Sequence, residues 1–191
     1  MARSPSAQQI LDCALTLADT SGWERLHLFD VARELDVGLD AIARHYRQKD
    51  DLVEAWFDRA DQAMLVRGKA ADLPALTPEK RLEELLMAWL GALAHHRSVT
   101  GQMLLYKLEP GHVHLQVQGL LRVSRTVQWW REAAQRETLH LCRIVEESLL
   151  TGAYLRTFVH WLRHPLDDDA DLRALLRRQL RCGPLTVLLR K

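Results

Sequence analysis

Disulfide chemistry is the first thing this sequence has little means for. Its three cysteines, Cys13, Cys142 and Cys182, are odd in number, far apart and never arranged as CxxC. That pattern argues against a disulfide framework or a zinc ribbon and for reduced, packed thiols. Long apolar runs are missing too: the longest, Leu85 to Ala94, stops well short of a membrane span. The N-terminal MARSPSAQQI has no apolar stretch of the kind a secretion signal needs. A cytoplasmic protein is expected. Neither sign of charge dominates, since 26 Lys and Arg face 25 Asp and Glu for a net charge of +1. No global field therefore draws nucleic acid, membrane or acidic substrates, and any charged site must come from local distribution. Also absent are a phosphate-cradling glycine loop, a nucleophile elbow and an HExxH pair. The chain is not expected to be an enzyme or to carry a cofactor.

What is present is helical periodicity. No segment shows the β-branched alternation of a strand, so the fold class predicted is all-α. Pro and Gly punctuate the chain at Gly22, Asp36-Val37-Gly38, Leu73 to Pro78, Glu109-Pro110-Gly111, His164-Pro165 and Gly183-Pro184. These breaks leave about nine helices. The linker at Leu73 to Pro78 divides the chain into a domain of residues 1–69 and another of residues 70–191. The first holds 9 Lys/Arg against 12 Asp/Glu, a net of −3, and the second 17 against 13, a net of +4.

In the first domain Ser4 is a suitable cap and Pro5 suits a first helical position. The helix that follows buries Ile10, Ala14 and Leu17, and Gly22 supplies the positive φ that ends it. Two short helices come next, from about Leu28 to Leu35 and from about Leu39 to Tyr46. Val31, Ala32 and Leu35 face inward on the first, and Leu39, Ile42 and Tyr46 on the second. The tight Asp36-Val37-Gly38 turn between them is that of a helix-turn-helix. Asp50-Asp51 open a longer helix with Leu52, Val53, Trp56, Phe57, Ala60 and Met64 on its apolar side.

The segment Gln9 to Leu52 resembles the DNA-binding segment of TetR-family transcriptional regulators. Ile10, Ala14, Leu17, Gly22-Trp23, Val31-Ala32, Val37, Ile42, His45-Tyr46, Lys49 and Leu52 stand where that family's motif has its scaffold. The resemblance implies a dimeric, ligand-responsive repressor with a helix-turn-helix head and a C-terminal helical bundle for ligand binding and dimerisation. It assigns contacts with double-stranded DNA to Arg44, Arg47 and Lys49, with His45 and His27 beside them. The family's phosphate- and base-facing residues are kept less well. His27 stands for Thr, Phe29 for Arg, Gly38 for Ser, Ala41 for Thr and Ala43 for Tyr, while Asp40 adds a negative charge. Few cations at the interface mean little non-specific affinity from counterion release.

Several constellations remain in the second domain. Leu82, Leu85, Leu86, Trp89, Leu90 and Leu93 form a core stripe. Leu141, Val145, Ser148, Gly152, Leu155 and Val159 make a seam suited to close helix packing, and this seam, with Leu172 and Leu176, is the expected homodimer interface. Trp89, Met103, Tyr106, Trp129 and Tyr154 are the candidates to line a pocket for a small apolar ligand. The basic helix Leu172 to Cys182, with Leu185 to Leu189 and Arg190-Lys191, looks like an amphipathic surface element. It is similar in pattern to one in TetR-like lipid-binding accessory proteins of ubiquinone biosynthesis, which implies, as the alternative, a lipid or isoprenoid carrier that touches membrane and does not bind DNA. His160 and His164, at i and i+4 with Asp167 or Asp168 nearby, read as exposed helical histidines, and no metal is expected. His95, His96, His112 and His114 read as helix-terminal residues.

Overall fold

The computed structural model describes residues 4–107 and 113–189, with the side chains of residues 113 and 114 outside that description. The readings of His112, His114 and Arg190-Lys191 therefore lie outside the described residues. Within the described residues there are ten α-helices and no strand. They are α1 (Ala7–Ser21), α2 (Leu28–Glu34), α3 (Leu39–Ala43), α4 (Lys49–Gly68), α5 (Pro78–Leu93), α6 (Arg97–Lys107), α7 (Val113–Ala133), α8 (His140–Arg163), α9 (Asp169–Leu180) and α10 (Pro184–Leu189). Short 3-10 turns occupy Leu73–Ala75 and Ala94–His96.

Two compact units emerge, and their division differs from a single cut near residue 69. One comprises Met1–Arg59 and Leu93–Gln116, the other Ala60–Ala92 and Val117–Lys191. The first unit takes in α6, whose side chains partner main-chain and side-chain polar groups of the head. Trp23 N donates to Gln102 Oε1 at 2.6 Å and Trp56 Nε1 to Thr100 Oγ1 at 2.9 Å. The buried Lys107 ammonium lies 2.8 Å from both Asp50 Oδ1 and Glu54 Oε1. Burying those charges is tolerable only because they are paired.

Local chemistry explains where the head's helices begin and end. Ser6, rather than Ser4, caps α1: its Oγ accepts from Gln9 N while Ser6 N donates to Gln9 Oε1, a reciprocal capping box. Gly22 closes the helix at φ +86°, a backbone angle that L side chains avoid. Ile10, Leu11, Ala14, Leu15, Ala18, Trp23, Ile42 and Leu52 are buried. Burying side chains of this size stabilises by about 1.5–3 kcal/mol each.

In the second unit the Leu82, Leu85, Leu86, Trp89 and Leu90 stripe is buried as its spacing predicts. Trp130 Nε1 donates to the Leu82 carbonyl at 2.9 Å. α9 packs on α8 through Leu172, Leu176 and Leu180, all buried, and Leu185, Leu188 and Leu189 of α10 are buried as well. Charge also enters this interior. Arg122 Nη2 lies 2.5 Å from Asp61 Oδ2, and Trp89 Nε1 and Thr126 Oγ1 both donate to Asp61 Oδ1. Burial, helped by the Asp61 carboxylate, pushes the pKa of the neighbouring Tyr154 phenol upward.

Candidate functional site

The helix-turn-helix is held by side chains and main chain together. Asp30, in the first turn of α2, accepts from His27 N at 3.2 Å and pairs with Arg33 at 2.5 Å. The family's capping Thr is thus replaced by a carboxylate reaching back from the first turn. Asp36 takes the left-handed conformation of the turn (φ 51°), and Val37 N donates to Ala32 O at 2.9 Å. Gly38 is the extended cap of α3. Asp40, in that first turn, complements the positive helix end. The third helix ends at Ala43, earlier than its pattern suggests, and Tyr46 anchors the following turn by donating to Ala7 O at 2.9 Å.

The outward surface of this element carries His27, Phe29, Leu39, Ala43, Arg44, His45 and Arg47. Leu39 is 53% exposed, not inward as its pattern suggested, because α3 is too short to bury more than Ala41 and Ile42. Phe29 is equally exposed and stacks on His27 with ring centroids 4.9 Å apart. Arg44 Nη2 lies 2.6 Å from Asp40 Oδ2 one turn earlier, with both side chains open to solvent. Arg47 is exposed, and its guanidinium has no carboxylate partner among the described residues; its main-chain N–H donates to Asp51 Oδ2 at 2.8 Å.

Lys49 departs from the role its position suggested. Its ammonium donates to the carbonyls of Trp23 (2.5 Å) and Glu24 (3.1 Å). It also lies 5.0 Å from the Trp23 ring centroid and 5.7 Å from that of Tyr106. Burial lowers its pKa. Lys49 clasps the end of the Gly22-Trp23 turn, its ammonium engaged within the head.

The five residues expected to line one pocket are divided between the two units. Met103 and Tyr106 belong to the first unit, while Trp89, Trp129 and Tyr154 belong to the second. Trp129 is 45% exposed. Trp89 packs edge-on against Tyr154 and Phe158, each at 5.3 Å, so these rings fill space. The second unit instead has an open cleft of about 850 Å³ lined by Thr77, Arg81, Gln135, Thr138, Cys142 and Leu188 among others. Sequence spacing could not reveal it, since its walls come from three distant segments. Arg81 there donates to the carbonyls of Pro74, Leu76 and Ala134 and to Gln135 Oε1, all neutral acceptors.

The expected dimer residues divide in two. Leu141, Val145, Ser148, Gly152 and Leu155 are exposed along α8 and Val159 is half-buried; a side chain at Gly152 would meet only open space. Ile144, exposed beside them, extends this face and was missed. Leu172 and Leu176 are instead core residues of the chain itself, because the apolar face of α9 is turned onto α8. The same geometry corrects the membrane reading. Arg173 pairs with Glu83 and Glu84, Arg177 with Glu83 and Arg181 with Glu79, so the helix is docked by both its leucines and its arginines. No helix among the described residues is long and apolar enough to cross a membrane.

No family model matches the chain. A curated protein of Xanthobacter autotrophicus, an uncharacterized HTH-type transcriptional regulator in the dhlA 5′ region, is 26% identical over 140 residues. That match takes in 73% of this chain but only 59% of the relative's length. A putative TetR-family regulator from Shewanella sp. PV-4 shares the fold, with 20% identity, a TM-score of 0.51 and coverage of 89% of this chain and 93% of that one. The crystal structure of the TetR transcriptional regulator from Nitrosomonas europaea matches with a TM-score of 0.81 and 45% identity, over 91% of this chain and 95% of that one. With near-complete overlap at that identity, on a fold whose head is a helix-turn-helix, the chain belongs to the TetR family of transcriptional regulators, proteins that act by binding and not as enzymes.

Proposed function

We propose that the protein is a homodimeric, cytoplasmic repressor whose two heads bind half-sites about one turn of DNA apart and release them when a small effector binds. The observation that carries this reading is the outward helix-turn-helix surface, with Arg44 and Arg47 exposed at and after the end of α3. Arg44 suits bidentate contact with guanine, and Arg47 suits a phosphate. His45 and His27 border the same surface. Lys49 supports this reading only by holding the head together. The exposed α8 face from Leu141 to Val159 is the proposed dimer surface, and a monomer in sedimentation velocity at micromolar concentration would refute it. The effector is expected in the cleft around Arg81. Its mixed lining, which includes Glu79 and Glu137 beside Arg81, Arg136 and Arg181, favours an amphipathic molecule over a purely apolar one.

Fluorescence anisotropy with duplexes from the gene's own upstream region tests the DNA reading, against a scrambled duplex at low and physiological salt. Binding should depend on sequence, and Arg44→Ala should weaken it by about 1–3 kcal/mol. Absence of binding even at low salt, or an unchanged affinity in Arg44→Ala, would overturn the assignment.

A further inference from the structure

The end of α8 carries a group of side chains that the regulator reading does not use. His160 and His164 lie one turn apart with their rings stacked, centroids 4.1 Å apart. After Pro165 and the fully exposed Leu166 the chain turns back, bringing Asp167 Oδ2 to 2.9 Å from His160 Nε2. One donor atom from each of the three residues falls within 4.8 Å of the other two. His164 Nδ1 donates to the His160 carbonyl at 3.0 Å. This is the outer bond that commonly orients a metal-bound imidazole, and it leaves the lone pair on Nε2.

We propose that His160, His164 and Asp167 form a binding site for a divalent transition metal of the zinc class. Two imidazoles and a carboxylate suit a borderline ion, whereas magnesium and calcium prefer oxygen donors throughout. The proton on His160 Nε2, now shared with Asp167, is the one the metal replaces, and it leaves to solvent. Two ligands each about 2.0 Å from a tetrahedral zinc ion stand about 3.3 Å apart, so the pair at 2.9 Å opens slightly, while the His164 ring must turn out of its stack on His160 to close in from within 4.8 Å. The carbonyl end of α8 adds a favourable dipole for a cation. Arg156 and Arg163 line the same shallow groove with His160 and His164 and oppose it. Asp168, which caps α9 through the Asp171 N–H at 2.8 Å, and the neighbouring Asp169 offset them. Three protein ligands leave a coordination position open to water or a further donor.

Isothermal titration of the untagged full chain with Zn²⁺ tests the proposal, with Co²⁺ absorption as a second readout. One ion per chain is expected. His160→Gln and Asp167→Ala should each weaken binding by more than the roughly 10–100-fold that loss of an outer partner costs. The Cys142→Ser/Cys182→Ser double variant should bind as the parent does, and the cobalt spectrum should show d–d bands without thiolate charge transfer. No bound zinc, unchanged affinity in folded His160→Gln, or loss of binding in the cysteine variant would each overturn the assignment.

Discussion

The helix-turn-helix and the core of the second unit use charge in opposite ways. On the former, ion pairs are local and wet: Asp30 with Arg33 and Asp40 with Arg44 join residues one turn apart on the surface. Such pairs contribute about 0.3–0.5 kcal/mol each and are easily exchanged for another partner. In the core of the second unit the pairs are dry and join residues further apart in sequence. Glu146, fully buried, lies 2.6 Å from Arg136 Nε and 3.3 Å from Arg131 Nη2, and Arg136 also donates to the Leu188 carbonyl at 2.8 Å. The difference separates a surface whose pairs are easily exchanged from a body whose shape depends on keeping them.

Breaking a buried pair should therefore have the largest effect. Glu146→Ala leaves the Arg131 and Arg136 guanidinium groups without their shared carboxylate, and a loss of about 3–5 kcal/mol is expected. Urea unfolding measures it. A loss below about 1 kcal/mol would mean that water reaches these groups and that the contrast with the surface pairs is false. Leu176→Ala ranks next. If α9 is core, the variant should lose about 2–5 kcal/mol of stability, and the loss should appear equally in subunits held apart by dilution. A change in assembly with stability intact would return Leu176 to the dimer surface.

The same contrast decides what the sequence made legible. Ile10, Ala14, Gly22-Trp23, Val31-Ala32, Ile42, Tyr46 and Leu52 occupy the places their spacing predicts, because helical period and turn geometry are local properties of the chain. Leu172 and Leu176 show the limit: periodicity says which face of a helix is buried, not whether its partner is the same chain or another. Trp129 shows a related limit, since aromatic content does not specify which way a ring points. His160 and His164 were visible at helical spacing with Asp167 or Asp168 nearby, and the turn at Pro165 selects Asp167 of the two. The Asp61 and Glu146 networks were invisible because their partners lie on other helices or, for Arg136, in the connection between α7 and α8.

Lys49 sharpens the comparison most closely, since it lies in the head yet behaves like the charges of the second unit. A lysine at a helix start beside a DNA-facing surface reads as a phosphate contact, but a long flexible side chain can equally fold back on carbonyls and rings. Lys49→Met keeps the apolar stem and removes the two hydrogen bonds to the Trp23 and Glu24 carbonyls. A loss of about 1–3 kcal/mol is expected in chemical denaturation. The dependence of DNA affinity on salt should stay as in the parent. A phosphate contact would behave in the opposite way, leaving stability unchanged while the salt slope falls by about 1. Measuring both quantities on one variant therefore distinguishes a cation that builds the head from one that the head presents.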